Sequence, residues 1–558
     1  MQDSSDKRAS QPLFSVQAGA LLVAVLLLVI VIATHGIGRG ELHYNTDETQ
    51  HAFTGVFFMD FFSDRPFAHP MQYVYEYYAK YPALSLSYWP PLFHIVEGVV
   101  FLLLGPSVVT ARLTVLLFVL LGCVFWYLLV KELAGMWTAA LSCVLLFLLP
   151  SLLLFEKVVM LEAPTLALCI AASYFWIRYL REGSPRLAYA FSLLAGLSLD
   201  TKQNSIYLAL FCLLTVMALR KWQIFRRAHL WGALGITVLV VAPVYVLMVI
   251  SQWRTIILLF SGSFSRTDDA SYWVLYYLRD IPAQVGWPLL FLSILGAVLS
   301  RLWTDRQTTL IFAMWVLSVY VSFTVIGHKE SRYILYWLPP LAFFAAGLLT
   351  ANCSRAFRYL RAAAVALILA FWIWSAWKLH TPYIAGYEPI ARRLTSMPGP
   401  GVILFDGDLA GNFIFYMRTL DPARRFVILR KGLYVTLIDK RIGSRELIHT
   451  REGLDELIHR DGIRYVVVTQ NSRIDFPVQR TLREYLATPK FRLMESDPVI
   501  SNAPEYQGYR IELYEYVDAL PRTEQYLHLS MMTIDHDIVV PFKDILPDGA
   551  WKPTGNPP

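Results

Sequence analysis

The sequence predicts an α-helical polytopic membrane protein of about eleven transmembrane helices, followed by a small α/β extracytoplasmic domain. Three observations lead there. The 558-residue chain is 56% hydrophobic with a mean hydropathy of +0.46, more apolar than a soluble chain of this size. Apolar runs of about 20 residues, enough for the ~30 Å hydrocarbon core, recur along the first two thirds of the chain. Beyond about residue 379 they give way to short strand-like and helix-like stretches.

The first run extends from Leu13 to about Thr34 behind a polar segment with Lys7 and Arg8, and reads as an uncleaved first span with a cytoplasmic N-terminus. Residues 36–107 read as a long first outer loop. They contain Asp47, Glu48, Asp60, Asp64, Arg65, His69, Glu76 and Lys80 among many aromatics, which suits segments lying along the interface. The apolar stretch from Pro90 to Leu104 includes His94 and Glu97. At ~1.5 Å per residue it is about 22 Å long, too short to cross.

Spans are then expected at 108–130, 136–153, 163–180, 187–201, 204–219, 230–250, 284–300, 308–326, 333–350 and 362–378. Charge tests this choice. It turns inward the loops that hold Arg178, Arg181 and Arg186, then Arg220, Lys221, Arg226 and Arg227, then Arg301 and Arg306, then Arg355, Arg358 and Arg361. That is the positive-inside pattern, which also accounts for the net charge of +7. No basic stripe interleaved with aromatics lies on a soluble domain, so nucleic acid is excluded as a partner. The five cysteines, Cys123, Cys143, Cys169, Cys212 and Cys353, sit in or beside apolar segments without metal-ligand spacing, and read as small buried hydrophobes.

The same topology delivers polar groups to the outer face. Asp47 and Glu48 follow the first span. Glu156, Lys157 and Glu162 lie at the turn after the third, Asp200 and Lys202 at the next outer turn, and His328, Lys329, Glu330 and Arg332 before the tenth. Ionisable groups at span ends are costly enough to need a reason, although any single one can snorkel or be solvated.

Four of these stretches carry a family resemblance. They are Asp47-Glu48, Met160-Leu161-Glu162-Ala163-Pro164-Thr165, Gly196-Leu197-Ser198-Leu199-Asp200-Thr201-Lys202, and Ser331 to Ala342 with Arg332 near its start. Together they resemble the polytopic GT-C glycosyltransferases, nearest to the protein O-mannosyltransferase and lipid A aminoarabinose transferase branch, over residues 10–380. The family often has Asp in its second acidic motif, where this chain has Glu162. The resemblance implies a sugar donor on a polyprenyl or dolichyl phosphate, used on the outer face to glycosylate a hydroxyl of a lipid, glycan or protein acceptor. The expected location is the bacterial inner membrane, with the active site and C-terminal domain extracytoplasmic.

Transfer with inversion needs a carboxylate to take the acceptor proton and cations to neutralise the departing phosphate. Asp47 is the expected base, with Glu48 orienting the acceptor or holding the base, and Glu162 contacting sugar or acceptor. Lys202 and Arg332 are expected on the donor phosphate, Arg332 as a bidentate fork and Lys202 as a point charge, with Lys329 a third candidate. His43, His51, His69, His94 and His328 match no standard metal motif, and the resemblance leaves a divalent metal open. The alternative function is a transporter or flippase of lipid-linked glycan intermediates, for which mid-bilayer charges or Gly/Pro-interrupted spans in matching halves would be expected.

Three domains are expected: a transmembrane catalytic domain over 1–380, an extracytoplasmic α/β domain over 381–520 and an extended tail over 521–558. In the second, strands are expected at 401–405, 425–429, 464–468 and 509–516, and helices near 411–419, 452–461 and 476–487. Asp406-Gly407-Asp408 looks like a metal-binding Asp-x-Asp but reads as ordinary strand-end turn chemistry.

Overall fold

The computed structural model describes residues 15–86, 88–260, 270–352, 354–436, 443–472, 474–518, 522–531 and 537–547. Lys7, Arg8, Leu13, Cys353 and the final residues from 548 lie outside them. The chain divides into two compact units. One comprises residues 1–37, 115–246 and 257–380; the other comprises 38–114, 247–256 and 381–558.

The first unit is helical. Among the described residues, eight helices of the whole chain are long and apolar enough to cross a membrane: Val16–Thr34, Val108–Ala134, Glu162–Glu182, Ala228–Ser251, Tyr272–Val298, Arg306–Thr324, Ser331–Thr350 and Phe357–Trp377. The protein is an integral membrane protein. The span expected at 136–153 is instead a pair, Met136–Phe147 and Pro150–Glu156, bent by 72°. Pro150 opens the second member, because proline lacks the N–H that would continue the preceding helix. The spans expected at 187–201 and 204–219 are shorter helices, Pro185–Leu199 and Tyr207–Ala218, separated by the turn that holds Asp200 and Lys202. Residues Leu92–Leu104 form a 13-residue helix, short as expected.

The helices of this unit differ in what they face. Glu162–Glu182 is buried over 89% of its apolar window, whereas Ala228–Ser251 is buried over only 11% and exposes Leu234, Val238 and Leu239. A backbone satisfied within a helix and clothed in exposed aliphatics suits lipid contact. Where helices do touch, small residues bring them together. A Cβ on Gly122 would stand 2.8 Å from the Cβ of Ala167, so Val108–Ala134 meets the central Glu162–Glu182 helix at nearly backbone distance. Indole donors add cross-links: Trp126 to Ser142 Oγ at 2.9 Å, Trp176 to Thr215 Oγ1 at 3.0 Å and Trp315 to the Tyr336 carbonyl at 2.9 Å. Cys123, Cys143 and Cys169 are buried in this apolar interior, and Cys212 is partly so.

In the second unit the helices α1 (Asn45–Asp64), α2 (Pro70–Lys80) and α3 (Leu92–Leu104) fold together with the C-terminal residues. Helices α4 (Tyr387–Thr395), α5 (Ala410–Leu420), α6 (Arg451–Asp461) and α7 (Pro477–Leu486) surround a five-stranded sheet. Its strands are β1 (Gly401–Asp406), β2 (Phe426–Leu429), β3 (Ile463–Gln470), β4 (Phe491–Pro498) and β5 (Arg510–Tyr516), in the order β2-β1-β3-β5-β4. The β1 strand is parallel to β2 and β3, while β5 is antiparallel to β3 and β4. The central strands are nearly all apolar because both faces are covered. Val402, Leu404, Val466 and Val468 join Leu454, Leu457, Ile458, Val478 and Leu482 in one core, and Phe405 stacks on Phe413 at 4.9 Å.

The strands and helices expected here are all present, helix α4 is additional, and so is β4. It is a charged edge strand, FRLMESDP, whose sequence lacks the apolar alternation that announces a half-buried strand. Part of the stretch expected as a tail is folded. Tyr526–Leu529 pairs with Ile538–Pro541, and Leu527, Leu529, Ile538, Val540 and Phe542 enter the same core. Ala79 of α2 enters it too, so the segment between the first two spans shares a core with the C-terminal residues.

Candidate functional site

In the helical unit, three turns far apart in sequence bring their charges together. Glu162 is the first residue of its helix, where the N-terminal end of the dipole favours an acid. Lys202 follows the end of the Pro185–Leu199 helix, and Arg332 sits in the tight turn Ser331–Trp337. Lys202 Nζ donates to Glu162 Oε1 at 2.6 Å, and Arg332 Nε lies 3.7 Å from the same oxygen. Arg332 Nε also donates to Glu330 Oε2 at 2.5 Å, and His328 Nε2 donates to Glu330 Oε1 at 2.7 Å. The side chains of Glu162, Lys202 and Arg332 are only 1%, 2% and 8% exposed.

Taking these charges out of water is costly, and each is compensated by an opposite partner. Burial alone would raise the Glu330 carboxyl. The hydrogen bonds from His328 and Arg332, with the Arg332 charge, outweigh it and hold the group at about 2. Asp200 shows the opposite balance: burial raises its carboxyl to about 6. Of the three cations expected on a phosphate, two therefore stand in this cluster. Lys329 is engaged differently, donating to the carbonyls of Phe323 and Thr324 at 2.8 and 2.6 Å and so capping the end of the Arg306–Thr324 helix. Burial lowers its ammonium to about 8.

In the other unit, Asp47 and Glu48 occupy the first turn of α1 but live in different surroundings. Asp47 is half-buried. Glu48 is 1% exposed, and its Oε2 accepts the backbone N–H groups of His43 at 2.7 Å and Tyr44 at 2.5 Å. Arg112 approaches its other oxygen at 3.9 Å while donating to the carbonyls of Arg39 and Glu41, both at 3.1 Å. Glu48 thus fixes the backbone that presents its neighbour. Arg112, an arginine at the start of a run expected to span, was a readable signal of this arrangement.

The histidines are spread out. His51 Nδ1 and His94 Nε2 share a hydrogen bond of 3.0 Å, His43 packs edge-on to Tyr506, and His69 is exposed. Among the described residues no group of three or more His, Cys, Asp or Glu side chains is arranged to hold a metal. At the Asp406-Gly407-Asp408 stretch, Asp406 is buried and accepts from Gln479 Nε2 at 2.9 Å and from Arg483. It ties α7 to the end of β1. Asp406→Ala is expected to cost the C-terminal fold about 3–5 kcal/mol, because it leaves the Arg483 charge without its partner. Thermal unfolding of the purified variant measures this.

The structure of ArnT from Cupriavidus metallidurans bound to undecaprenyl phosphate superposes with a TM-score of 0.61 at 16% identity, covering 91% of this chain and 99% of that one. The chain has the GT-C glycosyltransferase fold. The apo form of the same ArnT gives a TM-score of 0.59 at 15% identity, over 90% of this chain and 98% of that one. Arabinofuranosyltransferase AftD from Mycobacteria gives 0.50 at 14% identity, over 91% of this chain and 40% of that one. Residues 89–247 match the family model described as dolichyl-phosphate-mannose-protein mannosyltransferase. That stretch includes Glu162 and Lys202, but neither Asp47, Glu48 nor Arg332. By sequence, no curated protein matches. The GT-C resemblance read in the sequence thus agrees with both comparisons.

Proposed function

We propose that this GT-C protein moves a sugar from a polyprenyl-phosphate donor to a hydroxyl of an extracytoplasmic acceptor. The observation that carries the proposal is the buried Glu162–Lys202–Arg332–Glu330 cluster, in which two cations are held ready by two carboxylates. A cation pair with its charge neutralised inside the protein costs less to keep than a bare one, and an arriving phosphate can take over from the carboxylates. The ArnT likeness, in a form bound to undecaprenyl phosphate, supports a lipid phosphate as the ligand.

In this reading the acceptor oxygen attacks the anomeric carbon and its proton passes to the Asp47 carboxylate. The bond from that carbon to the phosphate oxygen breaks, and the electron pair leaves with the phosphate. Lys202 and Arg332 stabilise the charge that develops there, Arg332 through its planar fork. Attack opposite the departing group inverts the anomeric centre. Glu48 contributes indirectly, by holding the turn that carries Asp47. The arginine-rich loops support a cytoplasmic N-terminus, with the reaction on the other side of the bacterial inner membrane.

The test uses the purified full-length protein in nanodiscs with a radiolabelled polyprenyl-phosphate sugar and cell-envelope acceptor fractions. Release of polyprenyl phosphate together with labelled acceptor supports the reading. An intact donor across the acceptor fractions contradicts it.

A further inference from the structure

Helix α1, which opens with Asp47 and Glu48, is fastened along its length to helix α5 of the C-terminal fold. Ahead of α1, Asn412 Nδ2 donates to Glu41 Oε2 at 2.7 Å, and the Leu42 N–H donates to Asn412 Oδ1 at 3.3 Å. The Glu41 carboxylate also accepts the backbone N–H groups of Gly386, Tyr387 and Glu388 at 3.1, 3.2 and 3.0 Å, at the start of α4. These are the donors a helix leaves unpaired at its first turn, so the carboxylate and the helix end satisfy each other. Directly after the first turn of α1, Gly411 abuts Thr49 so closely that a Cβ there would lie 2.2 Å from Thr49 Oγ1. Only glycine permits that approach.

Farther along α1, Asp60 accepts from Arg418 through Nε at 2.7 Å and through a terminal nitrogen at 2.5 Å, the bidentate geometry of a strong pair. The Tyr77 hydroxyl adds a third bond to Asp60 at 2.6 Å, and Arg424 lies 3.0 Å away while also bonding Asp64. Asn412, Asp60 and Arg418 are all buried, with exposures of 0%, 2% and 6%. Buried polar groups satisfied on both sides have one favourable arrangement, so this seam behaves as a rigid joint. It grips the chain before the turn that bears Asp47, directly after it at Thr49, and farther along α1 at Asp60.

We propose that α5, through Gly411, Asn412 and Arg418, positions the start of α1 and hence the Asp47 carboxylate, making the C-terminal fold a working part of the transferase site. The three are positioning residues, and the inference rests on the reading of Asp47 as the base.

The experiment measures transfer kinetics in the full-length protein in nanodiscs, together with the rate at which a maleimide labels a Thr46→Cys reporter beside Asp47. Asn412→Ala and Arg418→Ala are expected to lower kcat about 10–100-fold with donor KM within about threefold, since small misplacements of a catalytic group cost this much. Both are expected to change the labelling rate. Arg418→Lys, which keeps a donor to Asp60, should recover part of the loss. Gly411→Ala should reproduce the defect by pushing on Thr49, and Gly411→Ala with Thr49→Gly should relieve it; this pair serves if Asn412→Ala does not fold. Unchanged labelling in these variants overturns the bracing, whatever the activity does. Changed labelling with unchanged kcat overturns the link to catalysis. Should Asp47→Asn itself prove fully active, the base assignment fails, and the labelling still decides whether α5 braces α1.

Discussion

Asp47→Asn is expected to lower the transfer rate by about 10²–10⁴-fold, the usual contribution of a positioned general base. The substitution keeps the size and shape of the side chain, turns one acceptor oxygen into an NH2 donor, and removes the basic carboxylate that takes the acceptor proton. Donor binding should change little, because the cations assigned to the phosphate lie elsewhere in the sequence. Glu48→Gln offers the contrast. Its oxygen can still accept from the His43 and Tyr44 backbone, but the charge facing Arg112 is gone. The expected result is a smaller loss of rate accompanied by a lower thermal midpoint. Initial rates at saturating donor and acceptor separate the two variants. Wild-type turnover in Asp47→Asn would remove the proposed base.

Arg332→Ala carries the second large effect. Deleting the guanidinium removes one of the two cations proposed for the departing phosphate and leaves Glu330 without its 2.5 Å partner. A loss of about 10²–10³-fold in kcat/KM is expected, the range for removing one preorganised group that stabilises developing charge. Arg332→Lys keeps the charge and not the fork, so it should fall between. Lys329→Ala should have a far smaller effect on donor use, since that ammonium is spent on the carbonyls of Phe323 and Thr324. Steady-state kinetics with varied donor test all three. Equal losses for Lys329→Ala and Arg332→Ala would mean that the helix cap does more than close a helix.

Much of this molecule was legible in its sequence because membranes impose simple rules. Apolar length and arginine placement located the helical region, and short apolar runs and helical patterns located β1, β2, β3 and β5 with the helices between them. The hidden features arise from contacts rather than patterns. The bend after Phe147 depends on Pro150 inside an otherwise continuous apolar run. The β4 edge strand and the Tyr526–Leu529 hairpin owe their form to neighbours, the hairpin burying alternate residues in a core set by distant strands.

The candidate site divides in the same way. Glu162, Lys202 and Arg332 stood out as charges at the ends of apolar runs, where burial demands a reason, and the structure joins them into one network. Which carboxylate holds which cation could not be read from spacing. Glu330 sits two residues from Arg332 and turns back to pair with it. Asp47 and Glu48 are adjacent and chemically alike. Only the fold distinguishes the half-buried acid from the one that closes the His43–Tyr44 backbone.

The most direct measurement follows the lipid in a single turnover, with purified protein in nanodiscs, a polyprenyl-phosphate sugar labelled in both lipid and sugar, and a hydroxyl acceptor. The account predicts that the lipid label emerges as polyprenyl monophosphate at the rate the sugar label enters the acceptor, with both slowed in Asp47→Asn and Arg332→Ala. Passage of the uncleaved donor from one leaflet to the other, or sugar transfer from a nucleotide donor while the lipid donor stays intact, would contradict it.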